Sequence, residues 1–309
     1  MKKILFPTIL AVACSTAFAD QTTDKIFSSH EIRVGVRDSS VPFSYQLPDK
    51  TFTGFAIDIC QRIIGNMQKT DPQLKAIYIP VTSSSRIPDL KSGKIDMECG
   101  STTFNEDRQK EVDFSVPYFV SGIGIAVKKD SPYQVINDFQ DGSSFGVTNG
   151  TTSVGAVGDL QKSFYFKTKN NQIHVVWGRD HQATFDMLTQ GKVNAVVNDD
   201  ILLYGLIANS KNPQDYRLLA DKYSVEPYAV MFRKNSPDFG NIVNKTLIDL
   251  MSYKAVSGTI DNQFIDLYNK WFLQPIPPKG AVLNVPMSPL LKDYVRNPVA
   301  VIGGYTKSK

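Results

Sequence analysis

The sequence keeps changing its period. Short apolar runs of strand character, at Ile32–Val36, Ile77–Val81, Ile95–Cys99, Phe145–Val147, His174–Trp177 and Val193–Val197, alternate with other stretches. In these, at Phe55–Met67, Ile87–Leu90, Thr152–Leu160 and Ala183–Leu188, the apolar residues recur at helical spacing. A chain that alternates strand and helix lays its strands largely parallel, because each helix returns the chain across the sheet and then covers one of its faces. The expected fold class is α/β.

Two internal repeats divide this alternation in two. LKSGKIDM at Leu90–Met97 and LTQGKVNA at Leu188–Ala195 each read as a helix closed by a glycine, Gly93 or Gly191, that feeds straight into a strand. VKKDSP at Val127–Pro132 matches FRKNSP at Phe232–Pro237, and each follows an apolar strand, Ile123–Val127 or Tyr228–Phe232. If those two strands cross between halves, the chain makes two lobes. Residues 20–124 and 226–298 form a discontinuous first lobe, and residues 125–225 form the second. Each lobe is then a mostly parallel sheet flanked by helices, and two crossover strands join them. The C-terminal part is helical, with apolar stripes at Ile242, Val243, Leu247 and Leu250 and at Phe264, Leu267, Tyr268 and Trp271. The stripes read as core, and Trp271 with them. A loose tail is expected at 299–309.

The first nineteen residues carry Lys2 and Lys3, an apolar run from Ile4 to Ala13, and Ala17-Phe18-Ala19, the pattern of a cleaved secretory signal. A lipoprotein anchored at Cys14 would want a leucine three residues before that cysteine, and none is there. Beyond Asp20 no run of eighteen apolar residues occurs, so a soluble protein outside the cytoplasm is expected. Without Lys2 and Lys3 the formal charge falls from +4 to +2, and no basic run is interleaved with aromatics, which argues against nucleic acid as a partner. Cys60 and Cys99 then remain, either as a disulfide or as two buried thiols; spacing alone leaves both open.

Parallel α/β sheets bind ligands at the carboxyl ends of their strands, and here those ends are polar. Arg37 follows the first strand, Thr82 to Arg86 the second, and Ser101, Thr102 and Thr103, then Arg108, the third. In the second half Thr148-Asn149-Gly150-Thr151 resembles a helix start offering N–H groups, Asp180-His181 follows the next strand, and Asn198, Asp199 and Asp200 follow the last. Taken singly these are turn formers, helix caps or surface charges. Together, three guanidiniums face one carboxylate, Asp199 or Asp200. A small ligand with two carboxylates and an ammonium group, glutamate or aspartate, complements that set. No metal, phosphate-loop or nucleophile motif competes, and His30, His174 and His181 lack metal spacing, so neither a cofactor nor a metal is expected.

RDSSVPFSY, TSSSRIP, ECGSTT with DRQ, TNGTTS, DH, NDD, YNKWF and PIPP resemble the periplasmic glutamate/aspartate-binding proteins of ATP-binding-cassette importers, over about Ile32 to Pro298. The resemblance implies the two-lobed periplasmic binding protein fold, a monomer, no catalysis, and membrane permease subunits as partners. Its ligand contacts fall on Arg37, Ser83, Arg86, Ser101, Thr103, Arg108, Thr148, Thr151, His181 and Asp199. It implies that Arg108 takes the α-carboxylate and Asp199 the α-ammonium, while Arg37, Arg86 and His181 surround the side-chain carboxylate. Two departures stand out: Val154–Gln172 is longer than the resemblance leads one to expect, and Phe104 stands where a polar residue is usual. A dehydratase on the same fold, a binding protein for another polar amino acid, or a receptor's sensing module are the rival readings. The dehydratase would need a carboxylate placed as general acid.

Overall fold

Three parallel strands form the backbone of each of two five-stranded sheets. In the first sheet the order is Lys75–Pro80, Glu31–Val36, Met97–Cys99, Met231–Arg233, Val112–Phe114, and the last two run antiparallel to their neighbours. In the second it is His174–Gly178, Ser144–Thr148, Ala195–Asp199, Ile123–Lys128, Tyr216–Leu218, with Ile123–Lys128 antiparallel to both of its neighbours. The computed structural model describes residues 21–139, 142–162, 173–221, 223–256 and 259–298. The expected signal segment 1–19, the expected tail 299–309 and most of the long stretch before His174 lie outside the described residues.

The repeats occupy equivalent places. Helix Arg86–Lys91 ends at Gly93, with φ +75°, and leads into the central strand Met97–Cys99; helix His181–Thr189 ends at Gly191, with φ +69°, and leads into the central strand Ala195–Asp199. Both glycines donate their N–H to the residue three back, Leu90 or Leu188, at 3.1 Å, and the lysine after each closes a wider turn onto Asp89 or Met187. Only glycine takes that left-handed backbone without strain.

The crossover strands lie a few residues earlier than the repeats suggest. Ile123–Lys128 belongs wholly to the second sheet and Met231–Arg233 to the first, each as the strand beside the centre. Phe119–Ser121 and Glu226–Tyr228 make the link instead, as a separate antiparallel pair. Burial explains the shift: Ile123–Val127 is buried at every position, which suits a strand flanked on both sides and covered on both faces. The hinge strands are anchored in the first lobe's core. Phe119 stacks on Phe272 at 5.0 Å between ring centroids and meets Phe43 edge-on at 4.9 Å, and Tyr228 meets Phe43 at 5.0 Å.

Helix Asp200–Ala208 is apolar nearly all round because it has two cores to serve. Ile201 and Leu202 pack with the first lobe, and Leu203 and Leu206 with the second. The predicted stripes on Pro237–Met251 and Gln263–Phe272 are core, including Trp271, whose Nε1 donates to Asp58 Oδ2 at 2.7 Å. Among the described residues no helix is long and apolar enough to cross a membrane.

Cys60, on helix Phe55–Met67, is joined to Cys99 at the end of the first lobe's central strand, across 39 residues. The bond ties a covering helix to the strand from which the polar segment Ser101–Thr103 departs. Closing a loop of this length stabilises the fold by about 4 kcal/mol on the chain-entropy account. Thiol titration of the unfolded, unreduced chain freed of residues 1–19 should find no free thiol. Replacing both Cys60 and Cys99 by alanine should lower the urea midpoint by the equivalent of a few kcal/mol, within that ~4 kcal/mol ceiling.

Candidate functional site

The carboxyl ends of both sets of parallel strands face one cleft, and the first lobe supplies its three arginines. Arg37 is fully buried directly after Glu31–Val36; its Nη2 donates to Ser83 Oγ at 2.7 Å and its backbone N–H to Ser44 Oγ at 2.8 Å. The serine run around Ser83 divides by role. Thr82 and Ser85 exchange backbone-to-hydroxyl bonds at 3.1 Å and form the turn, which leaves Ser83 to meet Arg37. That turn delivers Arg86, buried at the first position of its helix. Arg108 belongs to the short helix Glu106–Gln109, capped by Asn105, whose Oδ1 accepts the Arg108 N–H at 2.9 Å. While Glu106 and Asp107 face solvent, Arg108 turns inward. Its Nη1 donates to the Thr103 carbonyl at 2.9 Å and its Nη2 to the Gly150 carbonyl at 3.3 Å, which Arg86 Nη2 also approaches at 3.5 Å.

The second lobe supplies smaller groups. Thr148 is buried at a strand end and its hydroxyl is engaged with Thr184 Oγ1 at 2.8 Å; Thr151 Oγ1 donates to the Thr148 carbonyl at 2.7 Å. His181 opens helix His181–Thr189, with Asp180 as its cap, and is buried. The two neighbouring aspartates separate by partner. Asp200 Oδ1 accepts from Ser121 Oγ at 2.6 Å and so ties its helix to the hinge. Asp199 Oδ2 accepts from the Tyr228 hydroxyl of the other hinge strand, and its Oδ1 has no partner.

Unpaired buried atoms gather here. Arg37 Nε and Nη1, Arg86 Nε, Ser101 Oγ and Asp199 Oδ1 are all without hydrogen-bond partners. Burial and the neighbouring Arg86 draw the Arg37 guanidinium down to about 10 and that of Arg108 to about 9. Burial, then Glu226, lifts the Asp199 carboxyl to about 7 even though the Tyr228 hydroxyl favours its ionised form. Burial, with Arg37 and Arg86 beside it, holds His181 well below its ordinary range, so the imidazole is neutral. Such a set stabilises an acceptor against the arginines and a cation against Asp199.

Of the residues read from the sequence, Arg37, Ser83, Arg86, Thr103, Arg108, His181 and Asp199 are brought together by hydrogen bonds or by charge; Thr148 and Thr151 join through the loop that carries Gly150, and Ser101 is buried with its hydroxyl unpaired. The charge count drawn from them needs correction, because two further carboxylates are buried beside the arginines. Glu98, on the central strand, is fully buried, accepts from Thr102 Oγ1 at 2.6 Å and leaves its Oε1 unpaired. Glu226, on a hinge strand, accepts from Thr152 Oγ1 at 2.9 Å. Three guanidiniums therefore face more than one carboxylate: Glu98, Glu226 and Asp199, with Asp180, itself paired to Arg179, also acting on Arg37. Glu98 reads as an ordinary strand residue in one dimension; only the pairing of Met97–Cys99 with Glu31–Val36 brings it beside Arg37. The glycine of ECGSTT has its reason in the same place: a Cβ on Gly100 would lie 2.3 Å from Glu98 Oε1 and 2.8 Å from Arg37 Cγ. Phe104 stays out of the arginine cluster, edge-on to Phe114 at 5.3 Å. Among the described residues no cluster of His, Cys, Asp or Glu could hold a metal.

Residues 32–274 match the profile of the bacterial extracellular solute-binding proteins, family 3. The L-glutamate/L-aspartate-binding protein of Pseudomonas aeruginosa is 37% identical over 299 residues, covering 94% of this chain and 93% of that one. The glutamate/aspartate import solute-binding protein of Salmonella typhimurium is 36% identical, covering 91% and 89%. Among solved structures, an ancestral arginine-binding protein bound to arginine superimposes with a TM-score of 0.67 at 28% identity, covering 79% of this chain and 98% of that one.

Gly150 is one place where the lobes touch. Its φ is +78°, and a Cβ there would lie 2.7 Å from the Ser83 carbonyl oxygen and 2.6 Å from the Ser84 nitrogen, backbone atoms that cannot swing aside. Gly150→Ala should hold the lobes apart and raise the radius of gyration measured by small-angle X-ray scattering. Gly155→Ala, a control with nothing within 4 Å of the new Cβ, should leave it unchanged.

Proposed function

Because the chain belongs to family 3 of the bacterial extracellular solute-binding proteins, we propose that it captures L-glutamate or L-aspartate between its lobes and presents it to the permease of its importer. An amino-acid solute-binding protein of an ATP-binding-cassette importer, rather than an enzyme, is what its relatives make it. In this reading residues 1–19 direct export to the periplasm and are removed. Residues 20–121 with 226–298 make one lobe and 122–225 the other, slightly short of the expected boundary at 124 because Ile123–Lys128 belongs to the second sheet, and the protein works as a monomer.

The observation that carries the ligand assignment is the set of unpaired buried atoms. Arg37 and Arg86 together leave three N–H donors unmet, while Asp199 Oδ1 leaves an anionic acceptor unmet in the same cleft. A side-chain carboxylate suits the first group, with His181 beside it. The α-carboxylate lies against Arg108, Ser101 and Thr103, with Ser83, Thr148 and Thr151 shaping the walls, and the ammonium group meets Asp199. An amide in place of the side-chain carboxylate would aim N–H donors at N–H donors, which a built polar site rejects by far more than a missing methylene costs. One atom favours the amide: Glu98 Oε1 is a buried acceptor without a partner. That observation supports a second reading, a glutamine-binding protein.

Calorimetric titration with glutamate, aspartate, glutamine and asparagine in one buffer separates the two. Both acids should bind, within about 1–3 kcal/mol of each other for one methylene, and both amides much more weakly. Glutamine binding as tightly as glutamate would move the assignment to the amide. Arg108→Ala should cost about 2–5 kcal/mol, since it leaves a desolvated carboxylate without its partner, while circular dichroism stays unchanged.

Binding should also depend on pH through Asp199. Its carboxyl sits at about 7 in the free site, and an ammonium ligand favours the ionised form. Binding therefore lowers that value and releases protons. Glutamate affinity should fall as pH drops below about 7, approaching tenfold per pH unit. Calorimetry in buffers of different ionisation heat should show the proton release near pH 7, and Asp199→Asn should abolish it.

A further inference from the structure

Asn198 is buried on the central strand of the second lobe, between the two groups that matter most there, and the reading above gives it no role. Its side chain makes two contacts. The Asp199 backbone N–H donates to Asn198 Oδ1 at 3.0 Å, and Asn198 Nδ2 stands 2.9 Å from His181 Nδ1. The first contact settles the orientation of the amide. A backbone N–H can only donate, so the atom facing it is the oxygen, and the NH₂ group faces the imidazole. An amide nitrogen does not accept hydrogen bonds, so His181 Nδ1 must.

We infer that Asn198 locks His181 as the neutral Nε2–H tautomer and thereby makes it a one-way hydrogen-bond donor to the ligand's side-chain carboxylate, so that Asn198 is a positioning residue for acid-over-amide selectivity. The inference rests on the acidic-ligand reading for its last step, but not for the tautomer. Imidazolium is excluded by the same geometry, since it would set N–H against N–H in a buried place. The charged groups that bear on the ring, Arg37 and Arg86, act in the same direction. With Nδ1 occupied, the remaining nitrogen carries the only proton and has no lone pair to offer. A carboxylate oxygen can receive that proton; an amide NH₂ in its place meets donor with donor.

The same contact reaches the ammonium side of the site. Asn198 Oδ1 holds the backbone of Asp199, the residue assigned to the ligand's ammonium group. One buried amide thus sets the direction of a donor at one end of the ligand and the placement of an acceptor at the other.

Two substitutions take the device apart differently. Asn198→Leu removes both contacts at similar volume and leaves the imidazole free to exchange tautomers. Asn198→Asp offers only acceptors, so the proton moves to His181 Nδ1, and the added negative charge raises the pH at which the ring titrates.

The test is nitrogen-15 NMR of the imidazoles in the full chain without ligand, with His181 identified through His30→Gln and His174→Gln variants. Wild type should show the Nε2–H tautomer unchanged between pH 6 and pH 8, Asn198→Leu a mixture, and Asn198→Asp the Nδ1–H form with a higher titration point. Glutamate affinity should fall about tenfold in Asn198→Leu, the scale of one hydrogen bond to a charged group, and the glutamate-over-glutamine ratio should narrow with it. An Nδ1–H tautomer in wild type overturns the inference. So does an Asn198→Leu protein that keeps both the tautomer and the selectivity. Wild type that shows the Nε2–H tautomer yet binds neither acidic amino acid would support the lock while removing the acidic-ligand reading, so the two failures are told apart by separate measurements.

Discussion

Drawing three guanidiniums into one cleft costs desolvation, which lowers the pKa of each, and the local structure of the site is arranged around them. Each is brought in by a different device: Arg37 by a strand end, Arg86 by a serine-rich turn, Arg108 by a helix of a single turn. The fold offsets the charge with Glu98, Glu226 and Asp199, yet none of these forms an ion pair with Arg37, Arg86 or Arg108 among the described residues. The arginines are satisfied only in part, by Ser83, by the Thr103 carbonyl and by a carbonyl of the opposite lobe. An unmet donor away from water costs about 1–3 kcal/mol. In the proposed function that cost is the reserve a matching ligand recovers, which would let the cleft discriminate by chemistry and not by size alone.

Glycine has three separate uses in this arrangement. Gly93 and Gly191 turn helices into central strands by taking the left-handed backbone. Gly100 leaves room for Glu98 and Arg37 to approach each other, and Gly150 lets one lobe's backbone rest on the other's. At Gly100 the missing side chain alone is the requirement; at Gly150 it adds to a left-handed backbone of φ +78°.

Much of this was legible in one dimension. The alternation of periods gave two α/β lobes, and the repeated glycine-lysine turn gave their equivalence. Polar strand ends gave the candidate site residues, because a strand end is a local property that the sequence displays. The hinge was misplaced because Ile123–Val127 and Tyr228–Phe232 look like crossing strands, whereas the pairs that cross, Phe119–Ser121 and Glu226–Tyr228, are three residues long and carry little periodic signal. The role of Glu98, and the specific contacts of Asn198 and Gly150, were not read from the sequence. Glu98 and Gly150 meet Arg37 and Ser83, far away in sequence, only through strand pairing or lobe contact, and Asn198 meets His181, 17 residues back, only once helix and strand are packed. The disulfide was of the same kind, since its 39-residue span is compatible with either outcome until the helix is placed on the sheet.

Tyr228 lies on the hinge itself, with its ring packed against Phe43 and Phe119 and its hydroxyl on Asp199. A contact close to a rotation axis has a short lever arm. If the two lobes open about these strands, as the proposed function has it, atoms farther from the axis separate more, so the approach of Gly150 to Ser83 is lost before the Tyr228–Asp199 bond. The Tyr228–Asp199 bond, at the fulcrum, is stretched least. In that proposed motion Asp199 keeps its Tyr228 partner, whereas the bonds from Arg86 and Arg108 to the Gly150 carbonyl, which join the two lobes, require them to be together. The cleft works like a vice with one fixed jaw.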